Sequence, residues 1–178
     1  LKSQPRANYL SKKKSHSPVC AVATTENRKN AAKKIINCKK SGFWPVVVVS
    51  AIGREGAPYA TDTLFNFAKE VNSDIELREL DLIMSCGETI SSVIMANTLK
   101  DLGYQAIALT GGQAGIYTDH SYGNAEVIDV NPKRILKSLK EGKIPVVAGF
   151  QGIADDGDLT TLGRGGSDFT AAILAEAL

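Results

Sequence analysis

The nine residues Thr160–Asp168, TTLGRGGSD, lie between an apolar run, Ile144–Phe150, and an alanine-rich segment, Phe169–Leu178. A strand that feeds a glycine turn and then a helix start makes an anion site. Glycines let the backbone approach a ligand closely, and the free N–H groups of a helix start point at negative charge. Arg164 adds a forked cation matched to a carboxylate or phosphate. Ser167 or Asp168 is expected to cap the helix. The stretch is not a Walker A loop, because no Gly-Lys-Ser/Thr follows it. Nor is it a dinucleotide fingerprint: counted from Gly163, the third glycine of G-x-G-x-x-G falls on Asp168, whose charge would repel a pyrophosphate. A capped glycine turn with no ligand is the plainer alternative.

Other loop residues extend this set. Ser50 ends the apolar run Val46–Val49, and Thr61 and Asp62 follow in the next loop. Glu88 is expected at a helix start, in Ser85-Cys86-Gly87-Glu88-Thr89. There it is either a simple dipole partner or the receptor for a ligand ammonium. A carboxylate and a guanidinium facing one cleft are what an amino-acid substrate requires.

The elements that must position these groups follow from periodicity and punctuation. Thr24 or Thr25 caps a helix to about Lys40, and Gly42 stops it. Val46–Val49 reads as a buried strand. Thr61 or Asp62 caps a helix that buries Leu64, Phe67, Ala68 and Val71. A further helix runs from Ser85 to about Asp101. Tyr104–Thr110, Glu126–Val130 and Ile144–Phe150 read as strands, with a helix after Asn131-Pro132 that Gly142 ends. Alternating strands and helices predict a three-layer αβα sandwich with a mainly parallel sheet. Ligands are then expected at the C-terminal ends of the strands. No internal repeat or second domain is visible.

Composition sets the bounds. The chain has 178 residues, 43% hydrophobic and 22% charged, enough for one domain with a real core. No stretch reads as the roughly 18 apolar residues of a membrane span. Three widely spaced cysteines, Cys20, Cys38 and Cys86, suit a reducing compartment rather than a zinc or disulfide framework. Residues 1–45 carry 11 Lys/Arg and one acid, whereas residues 46–178 carry 10 Lys/Arg and 18 acids. The basic arm lacks aromatic interleaving, so a solvated, disordered arm over residues 1–21 is expected, with no nucleic-acid or membrane partner. Its Lys, Ser and Pro content is shared with transit peptides, but it holds only Arg6 and no apolar face. Asp155-Asp156-Gly157-Asp158 fails calcium-loop spacing and reads as a surface hairpin. Cys86 has no paired histidine and reads as a small buried residue, with His120 on the surface.

Six segments, taken in order, resemble the catalytic domain of the aspartate kinase family, of the amino-acid kinase fold. They are VVVVSAIG (46–53), YATDTL (59–64), SCGETISS (85–92), ALTGGQAGI (108–116), IPVVAGFQG (144–152) and TTLGRGGSD (160–168). The resemblance covers about residues 22–178, and REGAPYATD (54–62) is similar to the bacterial form. It implies ATP- and Mg²⁺-dependent phosphorylation of the β-carboxylate of L-aspartate, the entry to lysine, threonine and methionine. It implies that Arg164 holds a substrate carboxylate, Glu88 meets the amino group and Thr61 offers a hydroxyl. Gly165, Gly166 and Ser167 would line the substrate, Ser50 and Ser167 would lie toward the nucleotide, and Asp168 would organise the cationic partners near the transferred phosphate. A cytoplasmic homo-oligomer is implied for the full-length protein, with a plastid location as the alternative.

The family's KFGGTS loop, whose lysine contacts the phosphates, has no match. Counting back without gaps sets the lysine on His16, the two glycines on Pro18 and Val19, and Thr-Ser on Cys20 and Ala21. Proline and valine do not replace a glycine turn. The first strand is expected to be missing, the fold incomplete at both ends, and this polypeptide a partial catalytic domain with weak or no kinase activity. The competing readings are a non-catalytic aspartate-binding subunit and an unrelated Rossmann domain.

Overall fold

A computed structural model describes residues 7–9, 24–53 and 56–178. In chain order the elements are β1 (Ala7–Tyr9), α1 (Thr25–Lys40), β2 (Trp44–Val49), α2 (Thr61–Val71), α3 (Leu77–Asp101), β3 (Ala106–Leu109) and α4 (Gly111–Ala114). They continue with β4 (Ile116–Thr118), β5 (Val127–Val130), α5 (Lys133–Lys140), β6 (Ile144–Ala148), β7 (Gln151–Ile153), β8 (Leu159–Thr161) and α6 (Gly166–Ala177).

The β-branched runs form the centre of a parallel sheet of order β1-β2-β6-β3. Their side chains alternate between two apolar layers, as the period of two requires. Val47, Val49, Ile144 and Val146 face Ala32, Ile35 and Ile36 of α1 and Met95, Ala96 and Leu99 of α3. Val46, Val147 and Leu109 face Ile135 and Leu139 of α5 and Leu174 of α6. Both faces are covered, so the expected three-layer αβα sandwich is the observed one.

A second sheet, β5-β4-β7-β8, is mixed, with β4–β5 and β7–β8 antiparallel. The sequence reading had only the 126–130 strand and assigned it to the main sheet. The other strands here are three residues long, too short to show a period. The expected surface hairpin at 155–158 is the β7–β8 turn, and Arg78 of α3 grips its Asp158 bidentately at 2.6 and 2.8 Å.

Several boundaries are corrected. α3 starts eight residues before Ser85 and is continuous to Asp101. Its buried face carries Asp81, Ser85, Glu88, Ser91 and Ser92, which hides the apolar stripe, and Gly87 reads falsely as a breaker. Although α3 is long and apolar enough to cross a membrane by length and composition, it is the helix that packs on β2, β3 and β6. α2 is preceded by Ala60 with no side-chain cap, and of the expected core face only Ala68 is buried; Phe67 and Val71 are 61% and 79% exposed. Thr24 caps α1 as expected, accepting from the Asn27 N–H. Cys86 is exposed rather than buried.

The basic arm is also corrected in part. Ala7–Tyr9 pairs in parallel with β2, so a strand lies within the stretch expected to be disordered, and a first strand is present beside β2. Backbone pairing needs no special side chains, which is why composition did not show it. The remaining arm residues, including His16 and 18–21, lie outside the described residues.

Candidate active site

β2 and β6 are neighbours, and both deliver loops at their C-terminal ends. β2 delivers Ser50 and Ala51, and β6 delivers Gly149 and Phe150. The start of α6 closes on them. Gly149 donates its N–H to the Val49 carbonyl at 2.9 Å, and a side chain at Gly149 would set its Cβ 2.8 Å from the Ser167 Cβ and Oγ. The absence of that side chain lets the helix start approach.

These loops and the middle of α3 enclose a cleft of about 360 Å³. Ser50, Thr61, Glu88, Arg164, Gly165, Gly166, Ser167 and Asp168 all line it. The structure therefore brings together every residue singled out from the sequence. Asp62, read with Thr61 in the same loop, also lines it, and the structure adds Ala51 and Phe150.

Phe150 was read as the end of a strand, but its φ is +69°, the one positive value at a non-glycine among the described residues. Such a conformation costs about 1–3 kcal/mol and persists where surroundings over-determine it. Here the Phe150 N–H donates to Thr170 Oγ1 at 3.1 Å, and its carbonyl accepts from the Leu162 N–H at 2.8 Å. No sequence signal marks this turn.

Glu88 is not at a helix start, so the dipole reading falls. It sits mid-helix in α3, 3% exposed. Its Oε1 accepts from the Ala51 N–H at 3.1 Å, while Oε2 has no hydrogen-bond partner among the described residues. Burial pushes its carboxyl up to about 7, and the Ala51 hydrogen bond opposes that rise. A half-satisfied buried carboxyl on a cleft wall has the chemistry to receive a cation.

Gly87 explains how α3 comes this close. A Cβ there would lie 2.8 Å from both the Ala51 Cβ and the Tyr59 carbonyl oxygen. Gly87→Ala is therefore expected to destabilise the fold by about 1–3 kcal/mol, despite alanine's better helix propensity. Thermal melts check this, and unchanged or raised stability would contradict the packing described.

The start of α6 supplies the opposite polarity. Its N-cap is Gly165, at φ +80°, and it has no side-chain cap. Ser167 and Asp168, expected as caps, lie inside the first turn instead. Within this turn the Gly166 and Asp168 N–H groups already donate to the Gly163 and Gly165 carbonyls at 3.1 and 3.0 Å. That leaves Ser167 as its polar offering to the cleft, beside Arg164, which is exposed and forms no ion pair among the described residues. Among the described residues the cleft lining thus carries the Arg164 guanidinium, a helix start with no side-chain cap, the buried Glu88 carboxyl, and Asp62 and Asp168 as further acids. It can hold a zwitterion and a second anion at once. His120 is exposed, as expected; it lies in the β4–β5 loop and meets Asp155 and Asp156 of the β7–β8 hairpin at 3.3 and 3.0 Å, outside the cleft lining.

The profile of the amino acid kinase family matches residues 20–178. This chain belongs to that family. The amino acid kinase assignment removes the Rossmann alternative. Among individual kinases, the chain is similar to aspartokinase 1 of Bacillus subtilis, 48% identical over 158 residues. It is 45% identical to the aspartokinase of Mycolicibacterium smegmatis over 159 residues. Each match covers 89% of this chain but only 39% and 37% of the relative, so the kinase segment spans under two fifths of the curated relatives it matches. Among solved structures, aspartate kinase from Synechocystis superposes with a TM-score of 0.71 at 35% identity, over 88% of this chain and 25% of that one. Escherichia coli aspartokinase III, in complex with aspartate and ADP, shares the fold with a TM-score of 0.73 at 23% identity, over 88% of this chain and 44% of that one.

Proposed function

We propose that this chain is the aspartate-binding part of an aspartate kinase, which moves the γ-phosphoryl group of ATP to the β-carboxylate of L-aspartate. The product is aspartyl phosphate, at the entry to lysine, threonine and methionine biosynthesis. The observation that carries this reading is the convergence of Glu88, Arg164 and the uncapped start of α6 on one cleft. The similarity to aspartokinases supports it. Glu88 takes the substrate ammonium through its open Oε2, Arg164 takes a carboxylate through its fork, and Thr61 offers a hydroxyl.

In the reaction a β-carboxylate oxygen attacks the γ-phosphorus. The new O–P bond forms as the bond to ADP breaks, and the electron pair leaves with ADP. A carboxylate is already ionised at neutral pH, so no base is needed. The residues contribute position and charge. Ser167, through its N–H and hydroxyl in the first turn of α6, is directed at the phosphoryl group, and Ser50 lies toward the nucleotide. Gly165 suits that role, since it lines the cleft and a side chain there would project into open space, while Gly149 and Gly166 let the start of α6 pack close to Phe150.

Mg²⁺ would neutralise charge on the nucleotide phosphates when bound. The donor set fits it: among the described residues Asp62 and Asp168 line the cleft besides Glu88, which the ammonium occupies, and Asp168 is the acid at the start of α6 that would face it. The whole protein is proposed to act as a homo-oligomer. A cytoplasmic location follows the kinship with bacterial enzymes, and that kinship lends no support to a plastid one.

The unmatched KFGGTS loop favours a second reading, in which aspartate is bound without phosphoryl transfer. Calorimetric titration of the 178-residue chain with L-aspartate, followed by an ADP-release assay with MgATP, separates the two. Binding with weak or undetectable ADP release is the expected result for this polypeptide. Rapid ADP release would show that the loop is dispensable, and failure to bind L-aspartate would overturn the reading altogether.

A further inference from the structure

Asp81 lies outside the cleft, yet it connects both of the cleft's recognition groups. It is on α3, seven residues before Glu88, so the two side chains share one face of the helix about 10 Å apart along its axis. Asp81 is 1% exposed. Its Oδ2 accepts from the N–H of Thr161 at 2.8 Å and of Gly123 at 2.9 Å. Its Oδ1 accepts from the Thr161 hydroxyl at 2.8 Å. Thr161 is the last residue of β8, three before Arg164.

A buried carboxylate that accepts three hydrogen bonds is a strong and directional anchor. The bonds bind the 119–125 loop and the root of the arginine turn to the same helix. That loop in turn seats Gly163: Ala125 donates its N–H to the Thr161 carbonyl at 2.8 Å, and a Cβ at Gly163 would collide with Asn124 Oδ1. Leu162 is held from the other side by the Phe150 carbonyl at 2.8 Å. The chain is therefore fixed at Thr161, Leu162 and Gly163, and Arg164 is the first residue with a free side chain.

We infer that Asp81 is a positioning residue that fixes the distance between Arg164 and Glu88, and so sets the length of amino diacid that the cleft accepts. The ligand part of this inference rests on the aspartate reading above; the anchoring part does not.

Asp81→Ala leaves the buried Thr161 N–H and the part-buried Gly123 N–H without an acceptor. Asp81→Asn keeps the pattern if its oxygen faces the two N–H groups and its NH₂ donates to the Thr161 hydroxyl. The test is hydrogen exchange together with titration of L-aspartate and L-glutamate. In Asp81→Ala, exchange is expected to quicken at least tenfold at 161–167 and to stay unchanged in β2 and β6. L-Aspartate affinity is expected to fall at least tenfold and its preference over L-glutamate to shrink, with Asp81→Asn within about threefold of the parent chain. Unchanged exchange at 161–167, a uniform rise throughout the chain, or local loosening with unaltered aspartate affinity would each overturn the inference. Should Asp81→Ala not fold, Thr161→Val decides: it keeps the amide and loses only the hydroxyl bond, and local exchange at least threefold faster is expected, with no change counting against. If the parent chain binds no L-aspartate but the exchange pattern is found, the aspartate reading fails and the anchoring role stands.

Discussion

Glu88→Gln is expected to make the unliganded chain more stable at pH 8 while removing most of its affinity for L-aspartate. The carboxyl is buried and has one oxygen without a partner, and burial lifts it from 4.5 to about 7. A carboxyl raised in the folded state holds its proton there between pH 4.5 and 7, after the unfolded chain has released its own. Stability therefore falls as pH rises through that window, is fully present below pH 4.5 and levels off above 7. The raised value corresponds to a cost of order 3 kcal/mol at pH 8. Glutamine avoids that cost, and its oxygen still accepts from Ala51. A gain of about 1–3 kcal/mol at pH 8 that vanishes near pH 5 is expected from denaturant melts at the two pH values.

The ligand reverses the balance. An ammonium group against Oε2 favours the ionised form, so binding must expel a proton near neutrality. Aspartate affinity of the parent chain should rise about tenfold from pH 6 to pH 8, whereas the glutamine variant should be flat and roughly 100-fold weaker. Calorimetry in buffers of different ionisation enthalpy reads the proton directly. No proton release, or no stabilisation of the variant at pH 8, would show that Glu88 is not the ammonium receptor described.

The second large effect is expected at Arg164. Arg164→Ala should weaken L-aspartate binding by about 2–3 kcal/mol, roughly 30- to 150-fold, as loss of a charge-assisted fork does. Among the described residues it also leaves the cleft with only acids as charged side chains, which adds repulsion against an anionic ligand. Arg164→Lys keeps the charge but not the paired geometry and should recover only part of the loss. Because Arg164 is exposed and makes no ion pair among the described residues, melting should stay within about 0.5 kcal/mol of the parent. A matching loss of stability would mean that the side chain supports the fold rather than a ligand.

The site was more legible than the fold around it. TTLGRGGSD signals its own local structure, because glycine, a forked cation and a following helix each have a mechanical reading. The long β-branched runs of β2 and β6 showed their burial on both faces. Glu88 was found for a partly wrong reason: Gly87 looked like a helix boundary, when it is the point where a continuous helix touches the Ala51 loop. That distinction depends on the Ala51 and Tyr59 atoms packed against it, which come from a different loop earlier in the chain, and no periodicity reveals it. Phe150 was missed because its left-handed backbone is imposed by Thr170 and Leu162, both distant in sequence. Asp81 was missed because an acid on a helix reads as solvated until its three donors are folded against it. The apolar spacing of α2 misled in the other direction, since Phe67 and Val71 face outward.

The glycine floor of the cleft restricts how this scaffold can be retargeted. A Cβ at Gly149 would strike Ser167, and one at Gly166 would approach the Phe150 ring to 2.9 Å and Leu162 to 3.1 Å. At these two positions backbone meets neighbouring residues with no slack, so neither accepts a side chain without moving the start of α6. An engineer seeking a shorter or longer acceptor has only the rim to vary, at Ser50, Thr61, Asp62 and Arg164. Random libraries spread over the whole cleft would spend most of their glycine positions on chains that do not fold.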